Sequence, residues 1–151
     1  MSWKVWEERG FGFKTHKISA IVLYHFMKDH RTSLCAEHAD LLDELQEKIA
    51  EGNLTVETLD LSEHFTGRTN TVGTIIAGVM SSETGLRFDP VGIDDKGEEA
   101  VYFYACYPWQ LNDKEKSLTR EQMGKICRKY AKELGLPSDR CVGELSMVFS
   151  C

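Results

Sequence analysis

Apolar residues recur at Met123, Ile126, Cys127, Tyr130, Ala131 and Leu134, the i, i+3, i+4, i+7 spacing of one helical face. Thr119 and Gln122 have the spacing of a capping box, Gly135 follows the last periodic position, and Pro137 lies just beyond. The pattern predicts a helix over 119–134 with both ends encoded. A second stripe, Leu34, His38, Leu41, Leu42, Leu45 and Ile49, predicts a helix over 33–51 that Gly52 terminates, and Glu44 with Lys48 adds an i, i+4 pair in the favourable order. Residues 17–29 are apolar almost all round, through Ile18, Ala20, Ile21, Val22, Leu23, Tyr24, Phe26 and Met27. That run predicts a buried helix, with a strand as the alternative.

Strand signals occupy the rest. Leu145, Met147, Phe149 and Cys151 alternate with polar positions, which predicts a half-buried strand at the end of the chain. Ala100–Tyr107 has high β-propensity and no alternation, as expected of a central strand covered on both faces, and Pro108 stops it. Thr71–Met80 is rich in β-branched residues and reads as a strand, with a short glycine-softened helix as the alternative. Leu54, Val56, Leu59 and Leu61 read as a short strand whose change of parity asks for a bulge. Asp89-Pro90 and Lys96-Gly97 are turn signals, the second preceding a hairpin return into the strand at Ala100. Residues 1–15 form an expected N-terminal hairpin or arm whose Trp3, Trp6, Phe11 and Phe13 pack on the core or on a second subunit.

These elements predict the α+β class: one domain over 1–151, with a mixed or antiparallel sheet of about four to six strands and two or three helices packed mainly on one face. The strand at 100, the helix at 119–134 and the final strand could make one right-handed crossover unit. The 151 residues are 42% hydrophobic and 28% charged, enough for a single core without disulfides or metal. There is no 18-residue apolar run, and residues 1–9 lack a signal peptide's apolar region, so the expected location is the cytoplasm, with no membrane partner. The five cysteines, at 35, 106, 127, 141 and 151, form no C-x-x-C pair and read as free thiols in a reducing compartment. A strand between Cys141 and Cys151 would hold those two too far apart for a bridge.

Net charge is −6, which argues against unspecific binding to duplex DNA or anionic membranes. Its distribution is more informative. Residues 36–63 hold nine acidic side chains and only Lys48 as a base, leaving the remainder at +2, and residues 112–140 carry +3. The acidic helix, with Asp40, Asp43, Glu44 and Glu47, is therefore a candidate surface for a basic protein partner, or for mating between copies in a homodimer.

Three other groupings carry candidate chemistry. Ser62–Thr71 combines Glu63, His64, Arg68 and Asn70 around Gly67, the groups that acid–base chemistry or anion recognition would use, with Tyr102, Tyr104 or Trp109 as an apolar wall. Cys35 and His38 lie three apart on one helical face with His30 a turn upstream, two soft ligands where zinc would want four. A core histidine and no metal is the plainer expectation. Arg9-Gly10-Phe11-Gly12-Phe13, preceded by Trp3-Lys4-Val5-Trp6-Glu7-Glu8, resembles the aromatic strand motif of RNA-recognition and cold-shock domains. The resemblance implies single-stranded nucleic acid stacked on Trp6, Phe11 and Phe13, with Arg9 on phosphate.

No catalytic spacing is present: no G-x-S-x-G, no phosphate-binding loop, no H-E-x-x-H and no dinucleotide fingerprint. The sequence therefore points away from an enzyme and from any cofactor. Its leading reading is a protein-interaction or regulatory module, homo-oligomeric through the N-terminal hairpin or a sheet edge. An anion or small-molecule site at 62–71 and a nucleic-acid surface at the N-terminus are the alternatives.

Overall fold

The computed structural model describes residues 5–15, 18–52, 55–58, 72–89, 100–104, 113–137 and 142–150. Their order is strand β1 (Val5–Lys14), helices α1 (Ala20–Asp29), α2 (Ala36–Ala50) and α3 (Val72–Thr84), strands β2 (Phe88–Asp89) and β3 (Ala100–Tyr104), helices α4 (Asp113–Lys116) and α5 (Arg120–Glu133), and strand β4 (Gly143–Ser150). Single 3-10 turns lie at Arg31–Ser33 and Val56–Thr58.

This balance corrects the expected fold class. The described residues are mainly helical, with five α-helices among them in place of two or three and more than twice as many residues in helices as in strands. The two additional α-helices are α3 and the short α4. Residues 72–80 of the run read as a strand are helical, and α3 carries on to Thr84. Gly73, Ile75, Ile76, Ala77, Val79 and Met80 are all buried, so α3 is apolar on nearly every side and its periodicity is erased. Val56–Thr58 is a 3-10 turn, and Leu54, Leu59 and Leu61 lie outside the described residues.

The N-terminal hairpin is also corrected, because β1 is one continuous strand of ten residues. It pairs antiparallel with β4 from Val5↔Ser150 to Gly12↔Gly143, and with β3 from Gly10↔Tyr104 to Lys14↔Ala100. Gly10 therefore sits within two ladders and not at a turn, and β1 lies inside the strand order β2-β3-β1-β4. β3 and β4 both run antiparallel to β1, so the connection through α5 crosses one intervening strand.

Burial explains the remaining helices. Ser19 caps α1, its Oγ accepting the Val22 N–H at 3.3 Å, and the helix buries Leu23, Tyr24, Phe26 and Met27 while Ile21, His25 and Lys28 face outward. α2 buries His38, Leu42 and Leu45 at i, i+4, i+7. α5 starts on a complete capping box, with the Gln122 N–H on Thr119 Oγ1 at 3.2 Å and the Thr119 N–H on Gln122 Oε1 at 2.9 Å. It ends where Gly135 turns to φ +73° and the Leu136 N–H reaches back to the Ala131 carbonyl at 2.9 Å. The core runs from Phe13 and Val101, opposite each other in the ladder, through Leu23, Met27, Leu42, Ile75, Met80 and Tyr130. Among the described residues no helix is long and apolar enough to cross a membrane.

Candidate functional site

The densest polar arrangement lies where three helices end. His30 caps the C-terminus of α1, its backbone N–H donating to the Phe26 carbonyl at 3.0 Å. The 3-10 turn that follows brings Ser33 beside it, with the Ser33 N–H on the His30 carbonyl at 2.9 Å. Glu83 comes from the last turn of α3, and Tyr130 and Glu133 from the last turn of α5.

His30 Nδ1 is 2.7 Å from Glu83 Oε2, and its Nε2 is 2.8 Å from Glu133 Oε2. Glu83 also accepts the Ser33 hydroxyl on Oε2 and the Tyr130 hydroxyl on Oε1, both at 2.7 Å. The imidazole lies against Phe26, ring centroids 4.5 Å apart, with the Tyr130 ring at 6.0 Å. Its side chain is 13% exposed, against 25% for Glu83 and 38% for Glu133, so the histidine lies deeper than either carboxylate.

A neutral imidazole has one N–H to give, and here each nitrogen faces a carboxylate. Burial disfavours the charged ring, but hydrogen bonds to Glu83 and Glu133 outweigh it and raise the pKa of His30 above the ordinary 6.5. Burial likewise opposes ionisation of Glu83, yet Ser33, Tyr130 and His30 together bring its carboxyl down to about 2. The Tyr130 hydroxyl is pushed above its ordinary value by burial and by the Glu83 carboxylate it serves. The helix dipoles favour the imidazolium too, since the C-termini of α1, α3 and α5 converge on it, whereas they oppose ionisation of Glu83, which its three donors hold ionised.

The cluster ties the ends of three helices together. A carboxyl at about 2 is a weak base, and both nitrogens of His30 are occupied. Among the described residues no three His, Cys, Asp or Glu side chains are placed to share a metal ion.

Glu63, His64, Arg68 and Asn70 lie outside the described residues, as does Trp109. Asp40, Asp43, Glu44 and Glu47 are exposed on α2 together with Glu37. At about 100° per residue these five fall on the side of the helix away from His38, Leu42 and Leu45. Arg31 pairs with Asp43, lowering the carboxyl's pKa through its hydrogen bond, and Lys48 pairs with Glu44 at 3.2 Å. Asp40 and Glu47 carry no ion pair among the described residues.

Of the N-terminal aromatics, Phe13 is wholly buried, which withdraws its ring from any base, and Phe11 is partly buried against the core, with Cys127 Sγ 4.0 Å from its carbonyl. Trp6 and Arg9 lie in β1 opposite Phe149 and Ser146. Cys35 is an exposed thiol at the N-cap of α2 and His38 is buried one turn on.

The sequence reading met His30 only as a possible metal ligand and passed over Glu83 and Glu133. One signal was available: an acidic residue in the last turn of a well-defined helix, as Glu133 is, calls for a cation nearby. No protein-family model, no curated protein and no solved structure matches this chain.

Proposed function

We propose that the chain is a non-enzymatic protein-interaction module of the cytosol that offers the acidic face of α2 to a basic surface on a partner protein. The observation that carries this reading is the geometry of α2. Its apolar stripe is used inside the fold, while Glu37, Asp40, Asp43, Glu44 and Glu47 all remain exposed on the opposite side, with Arg31 and Lys48 as their counter-charges among the described residues. Aligned like charges repel along a helix and are held there at some cost to stability, a cost that a complementary surface relieves. The free thiols of Cys35 and Cys127 fit a reducing compartment.

The test neutralises the face without touching the buried stripe: Asp40→Asn, Asp43→Asn, Glu44→Gln and Glu47→Gln in one chain. Wild-type protein should capture a basic partner from its host's lysate and release it as salt is raised through physiological strength. The neutralised chain, with an unchanged circular dichroism spectrum, should lose it. Equal capture by both chains would sink the reading.

A further inference from the structure

We propose that His30 is a proton-operated latch that fastens the C-terminal end of α1 and the turn after it to the ends of α3 and α5, closed while the imidazole holds two protons and released when it loses one. The inference is independent of the acidic face of α2.

It rests on donor counting. The ring makes two contacts of 2.7 and 2.8 Å, to Glu83 on α3 and Glu133 on α5, from opposite edges. Loss of either proton turns one N–H···O contact into a lone pair facing a carboxylate oxygen, and it strips the only cation from between two anions. Glu83 keeps its Ser33 and Tyr130 donors, whereas among the described residues His30 is the one partner of the Glu133 carboxylate, so the α5 side is the one that lets go.

The other charged groups around the ring do not replace it. Arg31 is engaged by Asp43, and Lys129 lies with Nζ 5.3 Å from the centroid of the Tyr130 ring. Asp29, beside His30 in the chain, is exposed, as is Lys132 next to Glu133. Phe26 and Tyr130, 3% and 2% exposed, wall two sides of the imidazole, while Glu133, at 38% exposed, is open to water once the ring lets it go.

The sign follows from linkage. A histidine whose pKa is raised on folding contributes stability that is fully present below about 6.5 and is lost as pH rises through the folded value. The latch therefore opens on the alkaline side.

The test is histidine-labelled full-length protein followed by long-range proton–nitrogen NMR, with hydrogen exchange of the backbone in parallel. Both ring nitrogens of His30 should remain protonated above pH 6.5, and Glu133→Gln, which keeps an acceptor but removes a charge, should bring the midpoint down. Protection factors at the amides of His30, Ser33 and Leu134, corrected for intrinsic exchange, should fall through the same midpoint. The fall should be about tenfold for each pH unit by which the midpoint exceeds 6.5. In His30→Gln, which has no titrating ring, protection should stay flat with pH. A His30 midpoint at or below 6.5 would overturn the latch, and so would protection that is indifferent to the His30 transition in wild-type protein, which would make the cluster a fixed tie.

Discussion

Arg87 closes on the carboxylate of Glu115 twice, through its backbone N–H and through Nε, each at 3.1 Å. The Glu115 side chain is 1% exposed and that of Arg87 52%, so a buried anion on the short helix α4 is held by a cation that lies half in water. The contact ties α4 to the segment between α3 and β2, and Lys114 reinforces it by donating to the Thr84 carbonyl. A hydrogen bond to a charged group is worth about 1.5–3 kcal/mol, and deleting one side of a buried pair leaves the other partly desolvated. Glu115→Ala should therefore cost about 2–3 kcal/mol in urea unfolding, and Glu115→Gln, which keeps an acceptor for the Arg87 N–H, about 1 kcal/mol. Equal losses would mean that packing at α4, and not the carboxylate, holds the segment.

The same logic gives the acid side of stability. The Glu83 carboxyl ionises at about 2 against an ordinary 4.5, a lowered value, so its contribution is present above about 4.5 and is lost as pH falls toward 2. Tyr130→Phe removes one of its three donors and leaves the ring in place. That variant should move the acid-unfolding midpoint to higher pH, while costing only about 1 kcal/mol near neutrality. An unshifted midpoint would show that Tyr130 does not hold the carboxylate ionised.

Helix α5 was fully legible because its signals are local: Thr119 and Gln122 are three residues apart, and Gly135 adjoins the stripe it ends. α2 was legible for the same reason, with Leu42 and Leu45 buried and Gly52 at φ +78° beyond its last turn. α3 was not, since a helix packed on nearly all sides shows no period and its β-branched residues mimic a strand. β1 was misjudged because its ladder partners are at the far end of the chain, Val5 opposite Ser150, and nothing near it in sequence reports that pairing. The His30 cluster was hidden for that reason too, Glu83 and Glu133 being 53 and 103 residues away.

The α1 run, apolar almost all round in sequence, offers a contrast between two aliphatic positions on neighbouring helices. Leu42 on α2 is 0% exposed in the core and Ile21 on α1 is 36% exposed. Leu42→Ala should cost about 2–5 kcal/mol through lost transfer energy and the cavity left behind. Ile21→Ala should change stability by less than about 0.5 kcal/mol. A large loss at Ile21 in concentration-dependent unfolding would reveal that the exposed side of α1 is covered by another copy of the chain.

The two ends of α5 can be weighed against each other because each rests on one residue. At the start, Thr119→Ala removes the side-chain acceptor for the Gln122 N–H, and caps of this kind are worth about 1 kcal/mol. At the finish, Gly135 holds φ +73° with nothing within 4 Å of a Cβ built on it, so Gly135→Ala meets backbone strain and no steric clash. Left-handed backbone costs a residue other than glycine about 1–2 kcal/mol, offset in part by the reduced freedom of alanine in the unfolded chain. Each variant should lower stability by about 1 kcal/mol, and because the sites are a helix length apart the double variant should lose about 2 kcal/mol. Additivity in urea titrations would confirm that the caps act independently. A double variant no weaker than either single one would mean that the end of α5 frays as a unit, and would place the stability of that end in its hold on β1 and the core.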